Sequence, residues 1–124
     1  MQTFLRDYKD YFYFVFRVLT GLLFFAHGLQ KLFGLLGGQA MEMYTLFWFA
    51  GLIEVVVGAM VILGLWTSWA AFLGAVEMVA AYFIVHIPKG LNPLSNQGEL
   101  AILYFVAFLV MMTHGSKKWG ITED

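Results

Sequence analysis

The sequence contains no cysteine, which removes disulfides, iron–sulfur clusters, thioether-linked haem and any thiol redox relay carried by the chain itself. Charge is scarce as well. Only 12% of the 124 residues are Asp, Glu, Lys or Arg, against roughly 25% in a soluble domain. So few charges cannot cover the wet surface of a short chain, whose surface is large for its volume. Seven basic residues against eight acidic ones leave no basic face, which argues against nucleic acid as a partner. No Gly-rich nucleotide loop, no Ser/His/Asp set and no Cys/His zinc spacing is present. The two prolines, Pro88 and Pro93, fall in one short stretch. What the chain does have is 61% hydrophobic residues, so its natural solvent is lipid, and its seven methionines read as packing residues.

A transmembrane helix needs roughly 20 mainly apolar residues to cross the hydrocarbon. Four stretches qualify: Phe12 to Phe33, Thr45 to Leu65, Ser68 to Ile87 and Gly98 to Thr113. The breaks between them carry turn chemistry, in Gly34 to Gln39, Trp66-Thr67-Ser68 and Pro88 to Pro93. Short connections make neighbours antiparallel, so the expected fold is an all-α membrane protein, an up-down four-helix bundle forming one domain over residues 1–124. The start of the chain does not read as a cleavable signal, because no small-residue cleavage site follows a short apolar core. Arg6, Lys9, Arg17, Lys117 and Lys118 gather near the ends of the chain, whereas the loops expected on the other side hold Lys31 and Lys89. The positive-inside rule therefore puts both termini in the cytoplasm.

Ionisable residues inside the spans are the informative feature, because each costs a few kcal/mol or more unless paired or wetted. At about 1.5 Å per residue, His27 and Lys31 fall near the outer end of the first span and Glu54 about 13 Å below the outer boundary. Glu77 falls near the middle of the third span, His86 at its outer end, and Glu99 at the start of the fourth. His27 and Lys31 are four apart and share a helix face, and Glu54 is the partner expected for one of them. Two readings follow: a polar clamp that fixes which helices pack together, or an outward-open pocket where carboxylate and imidazole exchange protons or hold a polar head group. Glu77 has no neighbour on its own helix and needs a partner from elsewhere. Arg17 reads as a snorkelling arginine near the inner boundary. Gly51 and Gly58, and Ala71 and Gly74, read as small residues for close helix approach. The Glu-x-x-His pairs of di-iron bundles are missing, so no metal site is expected.

Three polar blocks carry a family resemblance. His27-Gly28-Leu29-Gln30-Lys31-Leu32-Phe33-Gly34 resembles the end of the first helix in the DoxX family. Glu54-Val55-Val56-Val57-Gly58 with Leu63-Gly64-Leu65-Trp66-Thr67 resembles the second-helix signature. His86-Ile87-Pro88-Lys89-Gly90 with Asn96-Gln97-Gly98-Glu99-Leu100-Ala101 resembles the third loop and fourth helix. Ser68 stands where the family often has a basic residue, and Glu77 lies outside the common pattern. The resemblance implies a four-helix protein of the bacterial or archaeal inner membrane. The family takes its name from the membrane part of a thiosulfate:quinone oxidoreductase, so a redox-associated or quinone-interacting subunit is the implied role. The quinone would not be covalently bound, and His27, Lys31 and Glu54 would meet its ring, with Phe24, Phe25 and Trp48 beside it. Electrons would come from a partner. Two other readings remain: a non-catalytic accessory subunit buried against a larger complex, or as a homo-oligomer, and a small-solute or lipid transporter using Glu54 and Glu77.

Overall fold

A computed structural model describes residues 1–124 and contains helices, turns and no strands. A short helix α1 (Gln2–Asp7) precedes α2 (Lys9–Phe33), α3 (Leu46–Leu63), α4 (Thr67–Ala81) and α5 (Glu99–His114). Three helical runs are long and apolar enough to cross a bilayer, Lys9–Phe33, Leu46–Leu63 and Thr67–Lys89, and Glu99–His114 is a shorter apolar helix. The chain is thus an all-α membrane bundle. Its ends follow local chemistry. α2 and α3 each stop at a glycine in the left-handed region, Gly34 and Gly64, where a side chain would be strained. Thr45 caps α3, its hydroxyl accepting from the Trp48 amide. α4 runs on through a π turn at Tyr82–His86 and a 3₁₀ turn at Ile87–Lys89. Pro88 explains the loosening, since its ring and missing N–H do not fit a regular helix interior.

The helices form two antiparallel hairpins, α2 with α3 and α4 with α5, and the hairpins meet mainly through α3 and α4. Lipid is as apolar as leucine, so close van der Waals fit must hold such helices together. In the first hairpin, a Cβ on Gly28 would come within 2.7 Å of the Gly51 carbonyl, and one on Gly58 within 2.7 Å of the Phe25 amide nitrogen. In the second, a Cβ on Gly74 would lie 2.7 Å from the Phe108 ring. Ala70, Ala71 and Ala75 continue that close face. Phe24, Val57, Val61, Met78, Tyr104, Phe108 and Met111 fill the bundle between them. Leu19, Leu23, Phe83 and Leu103 point outward, as lipid-facing residues should. In the distal half, nearer the loops at Gly34–Thr45 and Pro88–Gly98, the seam between the hairpins opens into cavities.

Candidate functional site

Lys31 and Glu54 form an ion pair across the first hairpin, with Nζ donating to Oε1. Glu54 is 2% exposed and Lys31 half-buried. Their meeting follows from the close crossing of α2 and α3, since Gly51 sits directly against the Lys31 side chain. The pair lies about 12 Å along α3 from Leu46, facing the second hairpin.

Two cavities flank this pair. One, of about 470 Å³, lies along the α3–α4 side of the seam and includes Lys31, Glu54, Glu77 and His86 in a lining otherwise mainly of Phe47, Ile53 and other apolar side chains. The second, about 200 Å³, lies on the α2–α5 side and is lined by His27, Lys31, Glu54, His86, Gln97 and Tyr104 among others. Lys31, Glu54, Ala81 and His86 belong to both, so they form the wall between an apolar space and a more polar one. Five of the six polar residues singled out in the sequence therefore meet at one place. The sixth, Glu99, is exposed in the first turn of α5, outside both cavities.

The partners differ from residue to residue. Glu77 is 8% exposed, and neither of its oxygens has a hydrogen-bond donor; Oε2 of Glu54 also lacks one. His86 directs Nδ1 to the Asn96 carbonyl at 3.0 Å, so that nitrogen carries the proton. Asn96 is itself buried and closes the loop, with Nδ2 donating to the Gly90 carbonyl and Oδ1 accepting from the Gly98 amide. The rings of His27 and Tyr104 stand nearly perpendicular, with centroids 5.9 Å apart. No three histidine or acidic side chains are grouped closely enough to hold a metal ion. Phe24 lines the smaller cavity, but Phe25 and Trp48 line neither; the Phe25 backbone packs against Gly58. Tyr104 escapes sequence reasoning because one phenol in an apolar run looks like packing.

At the opposite end the structure corrects the reading of Arg17. It does not snorkel: it is 1% exposed, and its guanidinium donates to the carbonyls of Ser116 at 2.5 Å, Trp119 at 3.1 Å and Lys118 at 3.3 Å. The reason is the C-terminal tail, which folds back over the bundle and offers backbone acceptors nearer than water. Tyr13 adds a bond to the Gly115 carbonyl at 2.6 Å, and Ser116 bonds Thr67 and the Gly64 carbonyl. Asp124 closes this clasp. Partial burial pushes its carboxyl up, but hydrogen bonds from Thr122, the Ser68 amide and Ser116 outweigh that and hold it below the usual carboxylate range.

A polytopic helical membrane protein with a buried charge pair between two cavities is the class that fold and site define. The DoxX family model matches residues 12–87 of this chain. A Haemophilus influenzae protein described as uncharacterized is 36% identical over 119 residues, covering 90% of this chain and 89% of its own length. The chain belongs to the DoxX family. No solved structure matches it.

Proposed function

We propose that this protein is a redox-associated membrane subunit that binds a quinone in the α3–α4 cavity. The observation that carries the reading is the cavity of about 470 Å³, apolar over most of its lining and bounded by the Lys31–Glu54 pair, Glu77 and His86. That combination suits a molecule with an apolar body and a polar ring edge. Rim residues Leu46, Phe47, Leu73, Val76 and Ile84 are exposed on the bundle surface, so the ligand would enter sideways from lipid. With no cysteine in the chain, electrons would pass to or from the quinone through a partner. The membrane is the bacterial or archaeal inner membrane, with both termini cytoplasmic, since Arg6, Lys9, Lys117 and Lys118 lie at the end where the tail folds over α2. Protein purified in mild detergent should carry extractable quinone, and added quinone should raise its melting temperature by ligand linkage. Neither quinone in the extract nor a shift on addition would sink the reading.

One observation favours a second reading, an accessory subunit in a larger complex. Leu91 and Leu94, in the loop before α5, are 82% and 76% exposed outside the apolar helices. Such residues suit contact with a partner at the distal face. Blue-native electrophoresis of gently solubilised membranes should then find the protein in a large assembly rather than as a small homo-oligomer.

A further inference from the structure

The α3–α4 cavity holds two buried carboxyls and one ammonium. Glu54 is 2% and Glu77 8% exposed, and both line the cavity with Lys31. The Lys31 ammonium donates to Oε1 of Glu54, so that carboxylate has its counter-charge. Glu77 has none, and neither of its oxygens has a hydrogen-bond partner. His86, the other basic group of the lining, lies about 13 Å further along the same helical run at roughly 1.5 Å per residue. Its Nδ1 proton goes to the Asn96 carbonyl. A second anion in hydrocarbon, near the charge of Glu54, would be neither paired nor wetted, so Glu77 keeps its proton and is a neutral acid. The result is a buried O–H for which the protein supplies no acceptor, and such a donor is costly until something accepts from it.

Resting on the quinone reading, we infer that Glu77 is a ligand-binding residue whose carboxylic O–H donates a hydrogen bond to a ring carbonyl of the quinone. A quinone carbonyl accepts and has no proton of its own, so acid and ligand each supply what the other lacks. The placement on α4 suits the contact. Leu73, Ala80 and Ala81 stand four before, three after and four after Glu77, hence on its face of the helix, and all three line the cavity. The Glu77 oxygens are sealed from solvent in the unliganded chain, and the two small alanines leave the side chain room to turn them into the cavity. Leu73, Val76 and Ile84 are exposed beside it, so the acid is approached from lipid. The proton stays on Glu77, and no electron-transfer step is assigned to it.

An apolar carbodiimide tests both requirements, a retained proton and a reachable oxygen. The acid adds across one C=N bond of dicyclohexylcarbodiimide: its proton goes to one nitrogen, its oxygen to the central carbon, and nothing leaves. The acyl group then shifts from that oxygen to the unprotonated nitrogen and stays as an N-acylurea. With the full-length protein in nanodiscs at neutral pH, peptide mapping should find the adduct on Glu77 and none on the ion-paired Glu54. A short-chain ubiquinone at about ten times its Kd should slow that labelling about tenfold by occupancy. Equilibrium binding of the same quinone gives the second measurement. Glu77→Gln keeps a neutral donor and should bind within about twofold of wild type, whereas Glu77→Leu should lose about tenfold. Circular dichroism and melting report folding of each variant, and labelling and protection of wild type decide if Glu77→Leu fails to fold. No adduct on Glu77, or labelling that bound quinone does not slow, would overturn the donor role and leave the quinone reading standing. Glu77→Leu binding as tightly as wild type would do the same. No quinone binding by wild type would remove the quinone reading and this role with it.

Discussion

Lys31 and Glu54 neutralise each other where hydrocarbon would otherwise surround Glu54, and removing one leaves the other worse off than if neither were there. Lys31→Met strands a carboxyl that is 2% exposed, and losing one member of a buried pair typically costs about 3–5 kcal/mol. The double change Lys31→Met with Glu54→Leu should recover most of that loss, because two apolar side chains suit lipid and leave no orphan. Unfolding in mixed micelles at increasing dodecyl sulfate would measure both variants. A double variant as unstable as the single one would mean that the pair contributes more than mutual neutralisation. Arg17 poses the same kind of problem at the other end. Arg17→Leu orphans the carbonyls of Ser116, Lys118 and Trp119, so the tail should lift and trypsin should cut after Lys117 and Lys118 faster than in wild type. The Asp124 side of the clasp depends on pH. Its carboxyl titrates below its unfolded value, so its stabilisation is present above the ordinary carboxylate range and is lost as pH falls through the lowered folded value. Protection of the Ser68 amide, which donates to Asp124 at 3.2 Å, should fall over that acidic window, and Asp124→Asn should show no such fall.

Between helices, the decisive quantity is how near two backbones can come. Gly58 is a test of sign. Alanine is better than glycine in a helix by about 1 kcal/mol, so propensity alone makes Gly58→Ala stabilising. The added Cβ would lie 2.7 Å from the Phe25 amide nitrogen and 2.8 Å from its Cα. Those are backbone atoms, which cannot swing aside as a side-chain end can. Overpacking costs about 1–3 kcal/mol, so the net effect should be a loss of about 1 kcal/mol, readable in the same detergent titration. A stabilised Gly58→Ala would mean that α2 and α3 have room to part. The packing of helices was only partly legible in the sequence. Four apolar runs and their turn residues gave the helices and the antiparallel order, because span length and glycine placement are local properties. The division into two tight hairpins with a looser seam is not local. It depends on which small residues face one another, and Gly28 or Gly74 looks the same in sequence whether a ring or lipid lies opposite. The loosening of α4 before Pro88 is a clearer case, since the proline was visible but the helix that continues through it was not.

For the whole molecule, the legible part of the site was its membership and the hidden part its partition. Burial cost alone marked Glu54 as needing a cation, and the spacing of His27 and Lys31 put two candidates on one face. That Lys31 takes the contact, that His86 turns to Asn96, and that one wall divides two cavities all depend on the seam between hairpins. Arg17 was misread for the same reason: its acceptors lie about a hundred residues away, in a tail whose sequence carries no mark of folding back. The same fold-back fixes an orientation test. The tail bonds α2 through Tyr13 and Arg17, and Lys118 meets Asp10 at 3.4 Å, so both termini lie at one end and the Gly34–Thr45 loop at the other. Because the chain has no cysteine of its own, a single introduced thiol reports one position without a background. Thr3→Cys, Glu123→Cys and Gln39→Cys all place it at exposed sites. If the basic ends face the cytoplasm, a membrane-impermeant maleimide added to spheroplasts should label Gln39→Cys and leave the other two unlabelled until the membrane is opened. The reverse pattern would place the polar cavity near the cytoplasmic face.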